Sequence, residues 1–148
     1  MNLIYCSIMG DEKIENKTED FALGVESCLM DLIENKNVDY FIFSGESEFE
    51  RMCYNIVSKL KKEKYYEIQR IFAVENLFKK PQWVLENRFE DVVALHLKFN
   101  FDGCEMQNIA IMEYADYAIF YRNPNCEVGF VSQAYEYAKA HKKDIILF

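Results

Sequence analysis

VDYFIFSGESEFERMCYNIVSKL, residues 38–60, changes its hydrophobic period halfway along. Val38 to Ser44 is a short apolar run of the kind that forms a strand buried on both faces. Gly45 ends it. Ser47 is placed to cap a helix, with Glu48 and Glu50 in the first turn, where acids suit the helix dipole. From there the apolar residues fall at helical spacing: Phe49, Cys53, Ile56, Val57 and Leu60. The segment therefore reads as strand, tight turn and capped amphipathic helix.

The same alternation extends in both directions. Leu3 to Met9 is an apolar run that stops at Gly10, and Thr18 to Glu34 follows with a stripe of Phe21, Val25, Cys28, Leu29, Leu32 and Ile33. Thr18, Glu19 and Asp20 suit a helix start. Ile68 to Val74 is a third strand. Pro81 breaks any helix around it. Residues 82–97 are compatible with a helix or a lid, and periodicity does not choose between them. Glu105 to Tyr114 reads as a helix, Tyr117 to Tyr121 as a fourth strand and Arg122 to Asn125 as a polar loop. Gly129 to His141 reads as a helix with Phe130, Ala134, Tyr137 and Ala138 inward, and Asp144 to Phe148 as a fifth strand. Strands alternating with helices predict an α/β fold with a doubly wound parallel sheet, in the order 3-2-1-4-5. The 148 residues suit a single domain, 1–148.

Composition narrows the function. Hydrophobic residues make up 51% and charged residues 28%, which is globular usage, and the formal charge is −8. That sign excludes a general electrostatic grip on DNA, RNA or anionic lipid. The first residues do not form a signal peptide, and no apolar run approaches the ~20 residues of a membrane span. The expectation is a cytoplasmic protein with no direct nucleic-acid or membrane partner. The five cysteines form no C-x-x-C pair, and His96 and His141 stand alone. This predicts no metal site and no disulfide framework, with most thiols buried as small hydrophobes. Charge is uneven: residues 11–50 hold 12 acids and 3 bases, and residues 51–80 hold 8 bases and 3 acids. The lysines at 59, 61, 62 and 64 lie late in the second helix, where cations complement the dipole.

In such a sheet, ligands bind beyond the carboxyl ends of the strands, where the chain order reverses. Here that is between the first and fourth strands. Gly10 and Asp11 end the first strand. Gly45, Glu46 and Ser47 end the second and open a helix, whose free N–H groups suit a phosphate or carboxylate. A plain tight turn with a capping serine is an equally good reading. Asp11 and Glu46 would oppose a second anion unless they face ribose hydroxyls. Gln107 and Asn108 begin the third major helix, and Arg122 and Asn123 follow the fourth strand. Arg122, one of four arginines, suits a forked phosphate contact and equally a surface loop. Gly129 opens the final helix, another potential anion-binding terminus.

The order and spacing of these residues resemble the SLOG superfamily, the Rossmann-like group containing the LOG-type nucleotide phosphoribohydrolases and the DNA-processing protein A domain. Its small single-domain members have a G-H-R-like turn after the first strand, of which Gly10 is kept. Their G-x-x-x-F-D-like segment corresponds to Gly45-Glu46-Ser47-Glu48-Phe49-Glu50, with Glu for Asp. Their R-N before a helix corresponds to Gln107-Asn108, ahead of the strand Ala115-Asp116-Tyr117-Ala118-Ile119. A Y-A-x-x-x-x-K-x-I-I ending matches Tyr137 to Ile146. The resemblance spans most of the chain and is weakest at residues 75–101. The LOG signature P-G-G-x-G-T-x-x-E falls on residues 125–133, where Gly129 survives, Phe130 replaces Thr and Gln133 replaces Glu. Phosphoribohydrolysis needs a carboxylate, and an amide cannot ionise.

The resemblance thus implies a three-layer Rossmann-like domain with a pocket for a nucleotide or nucleotide-derived molecule, bound without catalysis and without a cofactor. Gly45, Ser47, Asn108, Arg122 and the helix near Gly129 would make the contacts, with Phe130 stacking on a base. Related domains are associated with nucleotide signals in defence against phage. Two alternatives stand beside this. One is a hydrolase acting on an N-glycosidic or phosphate bond, with Glu46, Glu50 or Asp11 in place of the missing glutamate. The other is an acidic protein-interaction or inhibitor module using residues 11–50. The resemblance and the high aromatic content are both compatible with a homo-oligomer.

Overall fold

The computed structural model describes residues 3–15, 17–74, 77–94, 110–123 and 130–148. Among these, the elements in chain order are β1 (Tyr5–Gly10), α1 (Glu19–Asn35), β2 (Tyr40–Phe43), α2 (Glu48–Glu63), β3 (Gln69–Val74), α3 (Gln82–Glu86) and β4 (Asp91–Ala94). After these come α4 (residues 110–114), β5 (Tyr117–Tyr121), α5 (Phe130–Ala140) and β6 (Asp144–Leu147). Six described strands form one sheet in the order β4-β3-β2-β1-β5-β6, and every pairing is parallel. The fold is Rossmann-like α/β.

Alternate residues of each strand enter opposite cores. On one face Ile8, Phe41, Phe43 and Phe72 pack with Val25, Leu29 and Leu32 of α1 and Phe49, Cys53 and Val57 of α2. On the other, Met9, Ile42, Ala73 and Phe120 pack with Ile111 and Met112 of α4 and Ala134 and Ala138 of α5. Helices on both faces explain why the strands are apolar runs rather than alternating ones.

Both expected helix caps form. The Thr18 hydroxyl accepts from Phe21 N at 3.1 Å. Ser47 makes a capping box, its Oγ accepting from Glu50 N at 3.1 Å while the Glu50 carboxylate accepts from Ser47 N at 3.3 Å. The lysines late in α2 serve the fold. Lys61 donates to the carbonyls of Tyr66 and Ile68 at 2.7 and 2.6 Å, which closes the turn into β3. Lys59 and Lys64 pair with Glu26 and Glu34 of α1 at 2.9 and 3.2 Å.

The five expected strands take their expected mutual order, as β3-β2-β1-β5-β6. The correction is a sixth strand, β4, beyond β3, within the segment that periodicity left as helix or lid. Asp91–Ala94 is four residues long and has no period to read. Its place is set from outside. Arg70, 7% exposed on β3, grips Glu90 with Nε and Nη2 at 2.9 and 2.7 Å. The Arg70 N–H also donates to Glu90 Oε1 at 2.8 Å, and Glu90 N donates to the Arg70 carbonyl at 2.8 Å, which starts the ladder. The expected helix start at Glu105 and loop end at Asn125 lie outside the described residues.

Gly10 is a packing position. A Cβ there would lie 2.6 Å from Phe49 Cβ, and Phe49 is fully buried. The missing side chain lets the first turn of α2 seat against the end of β1. Gly10→Ala should therefore lower the thermal midpoint by roughly 3–10 °C, from ~1–3 kcal/mol of overpacking. Thermal denaturation followed by circular dichroism checks this, and an unchanged midpoint would count against the close contact.

Candidate functional site

The order reversal falls between β1 and β5, as expected, with β2 next to β1. β1 leads to α1 on one face and β5 leads to α5 on the other, so the two chains part just beyond Gly10 and Tyr121, which are register partners. This parting is where a parallel sheet leaves room for a ligand.

Asp11 and Asn123 meet there. The Asp11 backbone N–H donates to the Tyr121 carbonyl at 3.0 Å, and the buried Asp11 carboxylate accepts from Asn123 N at 2.6 Å. The Asn123 amide donates to the Lys13 carbonyl at 3.2 Å and to Glu15 Oε1 at 3.1 Å. The Tyr121 hydroxyl accepts from Glu15 N at 2.8 Å. Asp11 and Asn123 thus stitch the loop after β1 to the end of β5.

Arg122 points the other way, because it follows Tyr121 on an alternating backbone. Its guanidinium lies over the Tyr135 ring of α5, 5.4 Å from the centroid. Its Nε is buried and has no hydrogen-bond partner among the described residues. Among the described residues no carboxylate forms an ion pair with it. Tyr135 stands edge-on to Phe120 at 5.5 Å, so the ring is held from below by the sheet. Lys139 also lies 5.4 Å from its centroid.

One strand over, the turn from β2 into α2 is filled by the protein itself. Glu50, 4% exposed, folds back beneath the turn. One carboxylate oxygen accepts from Gly45 N at 3.0 Å and Ser44 N at 3.3 Å. The other accepts from Ser47 Oγ at 2.9 Å and Ser47 N at 3.3 Å. A Cβ on Gly45 would sit 2.7 Å from this carboxylate. Gly45 is therefore open to an internal anion. Burial raises the Glu50 carboxyl from its ordinary 4.5 to about 7, against the opposing pull of the four hydrogen bonds. Glu46 is exposed and pairs with Arg51 at 3.2 Å.

The residues expected at the crevice thus form two groups. Gly10, Asp11, Arg122 and Asn123 gather at the ends of β1 and β5, and Gly45, Glu46, Ser47 and Glu50 at the β2–α2 turn. Gln107, Asn108 and Gly129 lie outside the described residues. Phe130 is the first residue of α5, and Gln133 is exposed on the same helix. Tyr135, Lys139 and the Tyr121 hydroxyl were not singled out from sequence. The signal for Tyr135 was its place beside Ala134 and Ala138, whose small side chains let α5 lie close to the sheet.

No group of His, Cys, Asp or Glu among the described residues could hold a metal ion. Cys6, Cys28 and Cys53 are free thiols. Burial pushes those of Cys6 and Cys53 well up, which makes them poor nucleophiles. No described helix is long and apolar enough to cross a membrane. No family model matches the chain, and neither does any curated protein or solved structure. Fold and crevice together define a doubly wound Rossmann-like α/β domain whose switch point holds Arg122, which no carboxylate among the described residues pairs.

Glu50 makes stability depend on pH. Its folded value, about 7, lies above its ordinary 4.5, so its contribution is fully present below 4.5 and lost as pH rises to 7. The span corresponds to about 3 kcal/mol. Urea unfolding of the wild type and Glu50→Gln between pH 4.5 and 8 should show the wild type losing about this much relative to the variant. Parallel curves would mean that Glu50 does not titrate in this range.

Proposed function

We propose that this domain binds a nucleotide or nucleotide-derived small molecule at the ends of β1 and β5, and does so without catalysis. The observation that carries the reading is Arg122. A buried guanidinium N–H without an acceptor costs about 1–3 kcal/mol. A phosphate oxygen supplied by a ligand would satisfy it, and the guanidinium edge is shaped for two such oxygens. The Tyr135 ring, held by Phe120, fixes the guanidinium plane. In a chain of net charge −8, a cation with no acid paired to it among the described residues is a selective feature.

The acids that hydrolysis would require are committed elsewhere, which supports binding over turnover. Asp11 holds Asn123 N, Glu46 pairs with Arg51, and Glu50 is saturated by the donors of its own turn. The SLOG resemblance of the Gly45–Glu50 and Tyr137–Ile146 segments agrees with this reading. We place the domain in a reducing cytoplasmic setting, in which Cys6, Cys28 and Cys53 would remain thiols. Such a domain would sense a nucleotide signal or sequester it, in line with the association of the resembling group with nucleotide signals in defence against phage.

Calorimetry against nucleoside mono-, di- and triphosphates and cyclic nucleotides tests the proposal. At least one should bind, and Arg122→Gln should weaken it about tenfold or more, the worth of a charge-assisted hydrogen bond. Failure of every ligand at millimolar concentration would overturn the reading.

A further inference from the structure

The Tyr135 ring carries a second cation, which a single phosphate on Arg122 does not use. Lys139 lies one turn further along α5. Its ammonium is 5.4 Å from the ring centroid, and so is the Arg122 guanidinium. The two cationic heads therefore lie within twice that distance of each other. The ring between them is held in place. Phe120 of β5 stands edge-on to it, and the small side chains of Ala134 and Ala138 seat α5 on the sheet.

One cation is drawn to the negative face of an aromatic ring. A second brought to the same ring is repelled by the first. Neither charge is offset among the described residues, since no acid pairs with Arg122 or Lys139. Glu136, the one acid of α5, stands three positions before Lys139, a spacing that permits a helical ion pair, and forms none. The Tyr135 hydroxyl has no hydrogen-bond partner among the described residues either. A lysine in the last turn suits the dipole of α5. The dipole does not require that lysine to turn back over a ring that already carries a guanidinium. Lys143, just beyond the helix, is used within the fold, donating to the Glu113 carbonyl at 3.4 Å. Guanidinium, phenol and ammonium thus present donors around one fixed ring, with no acceptor among the described residues.

We propose, resting on the nucleotide reading above, that Lys139 and the Tyr135 hydroxyl form a second phosphate subsite beside Arg122, so that the ligand is a nucleoside 5′-diphosphate. The phosphate nearer the sugar meets Arg122, whose Nε is buried at the strand end. The terminal phosphate meets Lys139, which is exposed. A monophosphate reaches one cation and leaves the other unanswered. The two phosphates are adjacent because both cations border the same ring.

Calorimetry with the 5′-mono- and 5′-diphosphates of adenosine, guanosine, cytidine and uridine tests this. For the base that binds, the diphosphate should bind about tenfold more tightly than the monophosphate, the worth of one more charge-assisted contact. Lys139→Gln should abolish that preference and leave the monophosphate affinity within about twofold of wild type, whereas Arg122→Gln should weaken both ligands. Lys142→Gln removes the same charge three residues on, away from the ring, and should leave the preference intact. Silence from every ligand would remove the nucleotide reading and the second subsite together. A monophosphate that binds as tightly as its diphosphate leaves that reading standing and overturns the second subsite. So does a diphosphate preference that survives Lys139→Gln or is lost equally in Lys142→Gln. Tighter binding of the 3′,5′-bisphosphate than of the 5′-diphosphate would overturn the adjacency of the two phosphates.

Discussion

The parallel pairing of β1 with β2 on one side and β5 on the other is the constraint from which the remaining geometry follows. β1 has no free edge, and Cys6, Ile8 and Met9 are buried on its two faces. A slip of one residue would exchange the two cores, so register is set by burial. With β1 held, α1 and α2 must lie on one face and α4 and α5 on the other. The ends of β1 and β5 then part at Gly10 and Tyr121. The close seat of Phe49 on Gly10 ties α2 to the same strand end, so the crevice and the helix beside it share one anchor.

Two positions near this crevice offer donors to an anion, and the fold treats them differently. At the β2–α2 turn, three backbone N–H groups and the Ser47 hydroxyl converge on one point, and the Glu50 carboxylate occupies it. That is an internal substitute for a bound anion, kept at the expense of burying a charge. At the end of β5, Arg122 is half-buried against Tyr135 with its Nε unsatisfied. The first arrangement is complete within the described residues and the second is not. This asymmetry is the reason the proposed ligand is assigned to Arg122, at the end of β5, rather than to the glycine turn after β2.

Much of the architecture was legible because it rests on local rules. Thr18 and Ser47 cap helices because a hydroxyl can reach the N–H three residues on, and that spacing is visible in any sequence. The strand runs at Tyr5, Tyr40, Gln69, Tyr117 and Asp144 were legible because burial on both faces leaves apolar runs. β4 was not, since Asp91–Ala94 is held by β3 and by the Arg70–Glu90 pair across twenty residues. The candidate site was half legible. The sheet rule brought Asp11, Arg122 and Asn123 to one place, but Tyr135 reads on the page as one more aromatic in a chain rich in them.

Residue order alone therefore determined five of the six described strands, their alternation with helices, the caps and the crevice at which to look, because each depends on neighbours within a few positions or on a rule of sheet topology. Only the tertiary structure decided what the side chains at that crevice are spent on. Asp11 reaches Asn123 across 112 positions, and the ring that receives Arg122 arrives on another helix. Hydrogen bonds between distant segments leave no periodic trace in the chain. The same side chain can hold a loop or await a ligand, and the contacts it finds on folding make the difference.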